Sequence, residues 1–293
     1  MPRLVSAMET SVVAKTIAQQ LANKIKQKKI DVPMLPEVAN RVMRLTQDPN
    51  AITTDLAKLV QSDQVLAGHV MRIANSALYS PNTKLVSLQQ AISRLGMSII
   101  GEIALAASIN SKMFNAPGHN KIIQCQLRYA LYTALWAKEV ARVCKRNVEA
   151  AFLAGLLHDI GRPVCLQATV EIASQCGFSV TNNDLAPIET TFSRALGVLV
   201  VNLWEMPSIV CDVLSMFDRY EEAGDNKELT MVVVAASKFA QAGLSINSDQ
   251  PTYSRKELEE QPVMADLNLY LEDIEFLLGK QANVKSTLES MSL

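Results

Sequence analysis

Histidine is scarce in this chain: the 293 residues hold three, His69, His119 and His158, so a metal centre needing several imidazoles must draw on these. Aromatic residues make up 5%, and Trp136 and Trp204 sit among apolar neighbours at helical spacing, which favours core packing over a base-stacking platform. No sign of charge dominates. Lys and Arg number 28 against 29 Asp and Glu, a net charge of −1, and no global field draws the chain to nucleic acid or anionic lipid. Five cysteines (Cys125, Cys144, Cys165, Cys176 and Cys211) include no CxxC pair, and the odd number argues for a reducing cytosol over a disulfide framework. Apolar runs stay short of about 18 residues, since Glu102 interrupts the one from Ile99 and Lys238 closes the one from Met231. MPRLVSAMETSVVAK has no apolar stretch or cleavage site of a secretory signal, so the expected location is cytoplasmic with no membrane span. GxSxG, Walker and GxGxxG motifs are also missing, and no cysteine has a histidine nearby in sequence.

What is present is helical periodicity. Apolar residues, 49% of the chain, recur three and four apart, while alternating runs are rare and no Asn-Gly or Asp-Gly hairpin signal joins two β-branched runs. The expected class is all-α. Met1 to Ile30 reads as one amphipathic helix with Val13, Ile17, Leu21 and Ile25 on a face and six Lys or Arg against one acid. Further helices are expected from Pro36 to Thr46, from a Thr53 or Thr54 cap to Ser62, from Val65 to Leu78, behind the Ser87/Gln90 capping box to Gly96, and from Ile99 to Met113. After Asn115 to His119 the pattern gives a long helix from Ile122 to Val143 and another from Val148 to His158. A loop-rich stretch from Gly161 to Asp184 follows, then two helices up to Tyr220 divided by Pro207. Pro251 to Leu293 carries four basic and eight acidic residues and reads as one or two peripheral helices, Tyr270, Ile274, Leu277 and Leu278 facing the body.

One constellation points to chemistry. Ala154-Gly155-Leu156-Leu157-His158-Asp159-Ile160-Gly161-Arg162 sets an imidazole and a carboxylate side by side at the end of an apolar helix, from which both could reach one divalent ion. A catalytic ion needs further ligands and an open position for water, so the pair alone is incomplete. The same two side chains can equally form a buried hydrogen-bond network in which the carboxylate fixes the imidazole tautomer. His69 is expected to face solvent, His119 sits in a Pro-Gly loop, and Cys165 reads as a small buried hydrophobe.

Leu156-Leu157-His158-Asp159-Ile160-Gly161 resembles the signature of the HD superfamily of metal-dependent phosphohydrolases. Leu35-Pro36, Gln47-Asp48-Pro49, Ser62-Asp63, Asn75-Ser76, Ala91-Ile92, Leu95-Gly96, Gly197 and Trp204-Glu205-Met206-Pro207 resemble the related HDOD, or HD-related output, domain. The likeness covers roughly Val32 to Tyr220 and departs at Gln64, where the family usually has proline. It implies an HDOD body over 32–220 with lobes at about 32–115 and 120–220, which leaves the amphipathic helix over 1–31 before it and a helical extension over 221–293 after it. Carried across by spacing, the ligand positions of an active HD enzyme fall on Tyr129, His158, Asp159, Ser193 and the Phe217-Asp218 pair, so only His158 and Asp159, with Asp218 as a third, remain as ligands. The resemblance therefore implies a vestigial pocket without catalytic residues or cofactor, in a bacterial signal-transduction protein that works through a protein partner. Two other readings stay open: a phosphohydrolase of nucleotides or cyclic di-nucleotides with a divalent metal on His158 and Asp159, and a sensor binding a phosphorylated ligand near Arg128, Tyr129, His158 and Asp159.

Overall fold

The structure is a computed structural model, and it describes residues 11–48, 50–76, 79–80, 84–243 and 255–291. Every regular element among these is a helix, which establishes the all-α class.

The first lobe is built from five helices, α2 (Glu37–Gln47), α3 (Thr53–Gln61), α4 (Gln64–Ala74), α5 (Leu88–Leu95) and α6 (Met97–Ser108). Ser87 accepts from Gln90 N while the Gln90 side chain accepts from Ser87 N, so the expected capping box opens α5. The cap of α3 is Ile52 with no side-chain hydrogen bond, and Thr53 is already helical, a correction to the cap expected from sequence. α4 ends at Ala74, and Leu78 lies outside the described residues. α6 buries Ile100, Ile103, Ala104 and Leu105 and is followed by a separate 3-10 turn, Ser111–Met113.

The second lobe is wound around α7 (Asn120–Val143), a 24-residue helix whose Tyr132, Ala134, Trp136, Ala137 and Val140 are fully or almost fully buried. α8 (Val148–Leu157) packs along it, and α9 (Gly161–Cys176), α10 (Asn182–Leu203) and α11 (Ser208–Met216) complete the set. α9 corrects the loop-rich reading of Gly161 to Asp184. Its Pro163 lies in the first turn, where the lost N–H has no helical partner to lose, and the helix ends on Gly177 at φ 71°. α12 (Lys227–Gly243) packs on α7 and α8, and Phe239 stacks on Trp136 with ring centroids 5.0 Å apart. Trp204 donates to Pro33 O at 2.9 Å from a buried position.

The termini fasten these lobes. α1 (Val12–Lys26) buries Ala14, Ile17 and Leu21 against α9 and α10, with Lys24 on Glu171 at 2.8 Å; the expected start of this helix before Ser11 lies outside the described residues. α13 (Arg255–Glu259), α14 (Pro262–Asp266) and α15 (Leu271–Gly279) follow α12, and α16 (Gln281–Met291) runs across α4, α6 and α7. Ile274 and Leu277 face inward as the spacing implies, but Tyr270 is 69% exposed, because it lies before α15 in extended backbone and its peptide nitrogen is taken up in the cap with Asp273. No single described helix is long and apolar enough to cross a membrane.

Candidate functional site

Two close helix contacts set the position of His158. A Cβ added at Gly155 would lie 2.8 Å from Ala134 Cα, so the missing side chain lets α8 press onto α7 one turn before the histidine. At Gly161 an added Cβ would lie 1.8 Å from Ser193 O and 2.4 Å from Gly197 N, and α9 therefore meets α10 backbone to backbone. Between these contacts the chain turns at His158 and Asp159 and brings the first turn of α9 under α10.

His158 is 2% exposed. Its Nδ1 lies 2.7 Å from Gly155 O, and since a carbonyl only accepts, Nδ1 carries the proton and Nε2 keeps a lone pair. Tyr129 meets the ring edge-on at 5.6 Å between centroids, and Phe217 lies over it at 5.0 Å. Burial lowers the proton affinity of this imidazole below its ordinary value, and the Arg194 and Arg162 charges add to that, against the opposing pull of Asp159. The side chain is a neutral acceptor at neutral pH. Burial and the charge of Asp159 push the Tyr129 phenol up to about 12; its oxygen donates to Ser237 O at 3.4 Å and accepts from Gln241 at 2.9 Å.

The carboxylates nearby are held by arginines. Asp159 Oδ2 accepts from Arg162 Nη1 at 3.3 Å, and Glu189 Oε2 accepts from Arg162 Nη2 at 3.1 Å. Burial alone would raise the Asp159 pKa, but the positive charges around it outweigh that and hold it below the usual carboxylate value. Glu189 also accepts from Gln126 at 2.8 Å. Arg194 grips Asp218 with Nε and Nη2 at 3.1 and 3.2 Å, donates Nη1 to His158 O at 2.7 Å, and lies 4.8 Å over the Phe217 ring.

These groups line one cavity of about 580 Å³, which includes His158, Asp159, Tyr129 and Asp218 from the sequence-derived set. Ser193 is not part of the lining; it is half-buried, and its carbonyl sits against Gly161. Arg128 lines a different cavity, between α6, α7 and α16. His119 bonds Pro117 O through Nδ1 at 3.0 Å and does not line the His158 cavity. His69, expected at the surface, is 7% exposed with Nδ1 2.7 Å from Arg72; the apolar face of α4 carries it inward. Cys165 is fully buried, its thiol pushed up to about 12 by burial. Glu189, Arg194, Gln126 and Gln241 were not singled out from sequence; all are far from the motif along the chain and reach it through packing.

The residues present do not fit a divalent ion. A metal would need the free lone pairs of Asp159 and a third ligand, yet Asp159 is paired with Arg162 and Asp218 is forked onto Arg194. Among the described residues no group of three or more His, Cys, Asp or Glu side chains could hold an ion.

The HDOD domain family model matches residues 32–219. The fold is similar to that of a Shewanella amazonensis protein provisionally named a metal-dependent phosphohydrolase, with TM-score 0.73 and 20% identity, covering 95% of this chain and 100% of that one. An HDOD domain protein with unknown function from Geobacter sulfurreducens has TM-score 0.70 and 19% identity over 95% of this chain and 98% of its own. A Marinobacter aquaeolei protein provisionally named a signal transduction protein has TM-score 0.63 and 21% identity over 96% of this chain and 66% of its own. An uncharacterized protein of Treponema pallidum is 20% identical over 226 residues, and the match spans 44% of that protein's length.

Proposed function

The chain belongs to the HDOD domain family, and from that premise we propose that it is a bacterial, cytoplasmic signal-transduction protein that acts through contacts with a signalling protein and not through catalysis. The observation that carries this reading is the engagement of Asp159 and Asp218 by Arg162 and Arg194, which leaves the His158 imidazole as the sole unengaged ligand of the inherited set. A lone neutral imidazole can accept a hydrogen bond, but it cannot hold an ion that activates water. The test is hydrolysis of a panel of phosphomonoesters, nucleotides and cyclic di-nucleotides by the purified chain with Mn²⁺, Fe²⁺ and Ni²⁺ supplied. No turnover is expected; turnover abolished by His158→Ala would establish the phosphohydrolase reading instead.

The cavity itself favours a second reading, a sensor for a phosphorylated ligand, because Lys121 lines it together with Arg162 and Arg194. A ligand that binds only the folded state raises the melting temperature in proportion to ln(1 + [L]/Kd). A nucleotide-dependent rise that is lost in Lys121→Ala supports this reading, and a flat response to every nucleotide at millimolar concentration removes it.

A further inference from the structure

The lining of the His158 cavity carries three cations, Lys121, Arg162 and Arg194, and three acids, Asp159, Glu189 and Asp218. Their charges cancel, so an anionic ligand enters favourably only where one acid gives way. We propose that this acid is Asp218: the phosphoryl group of a ligand sits on the Arg194 guanidinium in place of the Asp218 carboxylate, which acts as a built-in competitor for the seat. The proposal rests on the reading of this cavity as a sensor site and names where the phosphoryl group binds.

Exposure decides which acid yields. The Asp159 and Glu189 side chains are 15% and 14% exposed, and Arg162 holds both, so neither reaches water without breaking a largely buried ion pair. The Asp218 side chain is 68% exposed. An ion pair with one partner that open to water adds little stability, because the released carboxylate is hydrated nearly as well as before. Asp218 also stands on the short 3-10 turn Phe217–Glu222, where the next residue, Arg219, leaves helical backbone at φ −141° and ψ 49°. No α-helical ladder fixes the carboxylate in place.

Arg194 keeps its position without Asp218. Its side chain is 25% exposed, and its Nη1 donates to His158 O at 2.7 Å, which anchors the guanidinium from the opposite edge. The Nε and Nη2 edge that grips Asp218 at 3.1 and 3.2 Å presents two parallel donors, and these match two oxygens of a phosphoryl group as well as two of a carboxylate. A phosphoryl group carries roughly twice the charge of the carboxylate it displaces, so Lys121, in the same lining, favours the exchange.

The test is a melting-temperature titration of the full chain with inorganic phosphate, at ionic strength held constant with chloride, for the wild type, Asp218→Glu, Asp218→Asn and Asp218→Asn/Arg194→Gln. The stabilisation at each concentration gives the phosphate Kd. Asp218→Asn is expected to bind phosphate about threefold or more tightly than the wild type, the factor that loss of an exposed competing ion pair supplies. Asp218→Glu keeps a competitor and should stay with the wild type, and the gain should vanish in Asp218→Asn/Arg194→Gln. Should that double variant fail to fold, Asp218→Asn/Arg194→Lys takes its place, and a phosphate affinity there as high as in Asp218→Asn overturns the proposal. Equal affinities in the wild type and Asp218→Asn overturn it too, as does a gain that survives the loss of Arg194. Equal phosphate affinities beside a Lys121-dependent nucleotide response overturn the seat and leave the sensor reading standing. A wild type that ignores every nucleotide removes the sensor reading, while the phosphate comparison still decides the seat.

Discussion

Single residues carry the largest predicted effects where backbone meets backbone. Gly161→Ala would set a methyl 1.8 Å from Ser193 O, and neither main chain can yield without separating α9 from α10, so a loss of about 3 kcal/mol or more is expected. Gly68→Ala is the control: it lies inside α4 with open space around the added Cβ, and a gain of about 0.5–1 kcal/mol is expected from helix propensity. Urea denaturation of both variants measures the contrast. Proton linkage gives a second prediction at this scale. Burial holds His158 and His69 below the ordinary 6.5, so the unfolded chain binds protons that the folded chain refuses. Their contribution to stability is full above pH 6.5 and falls as the pH drops below it toward their folded values; His158→Gln should flatten part of that fall when stability is followed by urea melts from pH 7.5 to 5. The motif made His158 and Asp159 legible as a pair, and Arg162 stands one turn from Asp159 in the same motif, but its second partner was hidden, because Glu189 is 27 residues away and only packing brings it near.

Helices were readable where one face is apolar and the ends are marked. The capping box at Ser87 and Gln90 and the long α7 follow directly from local sequence, since both signals lie within a few residues of the structure they make. α9 escaped notice for a physical reason: it is buried on most of its circumference, so no polar stripe sets off an apolar one, and Gly161 with Pro163 at its start imitates a loop. Between elements, the Glu102 and Lys138 pair joins α6 to α7 across the lobes at 2.5 Å with each side chain 11% exposed. Burial raises the Glu102 pKa and Lys138 opposes that rise. Lys138→Ala leaves a buried carboxylate unpaired and should cost about 3–5 kcal/mol by chemical denaturation, whereas Glu102→Leu/Lys138→Met together should recover most of it. Equal losses in the single and double variants would show that the pair is not what couples these helices.

Across the whole molecule, the all-α class and most helices up to α8 were legible in sequence, but α9, α12 and the four helices α13 to α16 were not individually so, and the neighbours of each helix were not. Nothing local places α1 on α9 and α10, or carries α16 back across α4, α6 and α7, for these contacts join residues more than a hundred positions apart. The HDOD resemblance was visible in short motifs, and the family match confirms it over 32–219. The non-catalytic reading rests on nearer pairs, Arg162 with Asp159 on the turn that opens α9 and Arg194 of α10 with Asp218 beyond α11, which engage the acids a metal would need. Metal analysis of the protein as purified and desalted tests this most directly: the account predicts no stoichiometric Mn, Fe or Ni, and one equivalent of ion that survives desalting and disappears in His158→Ala would contradict it.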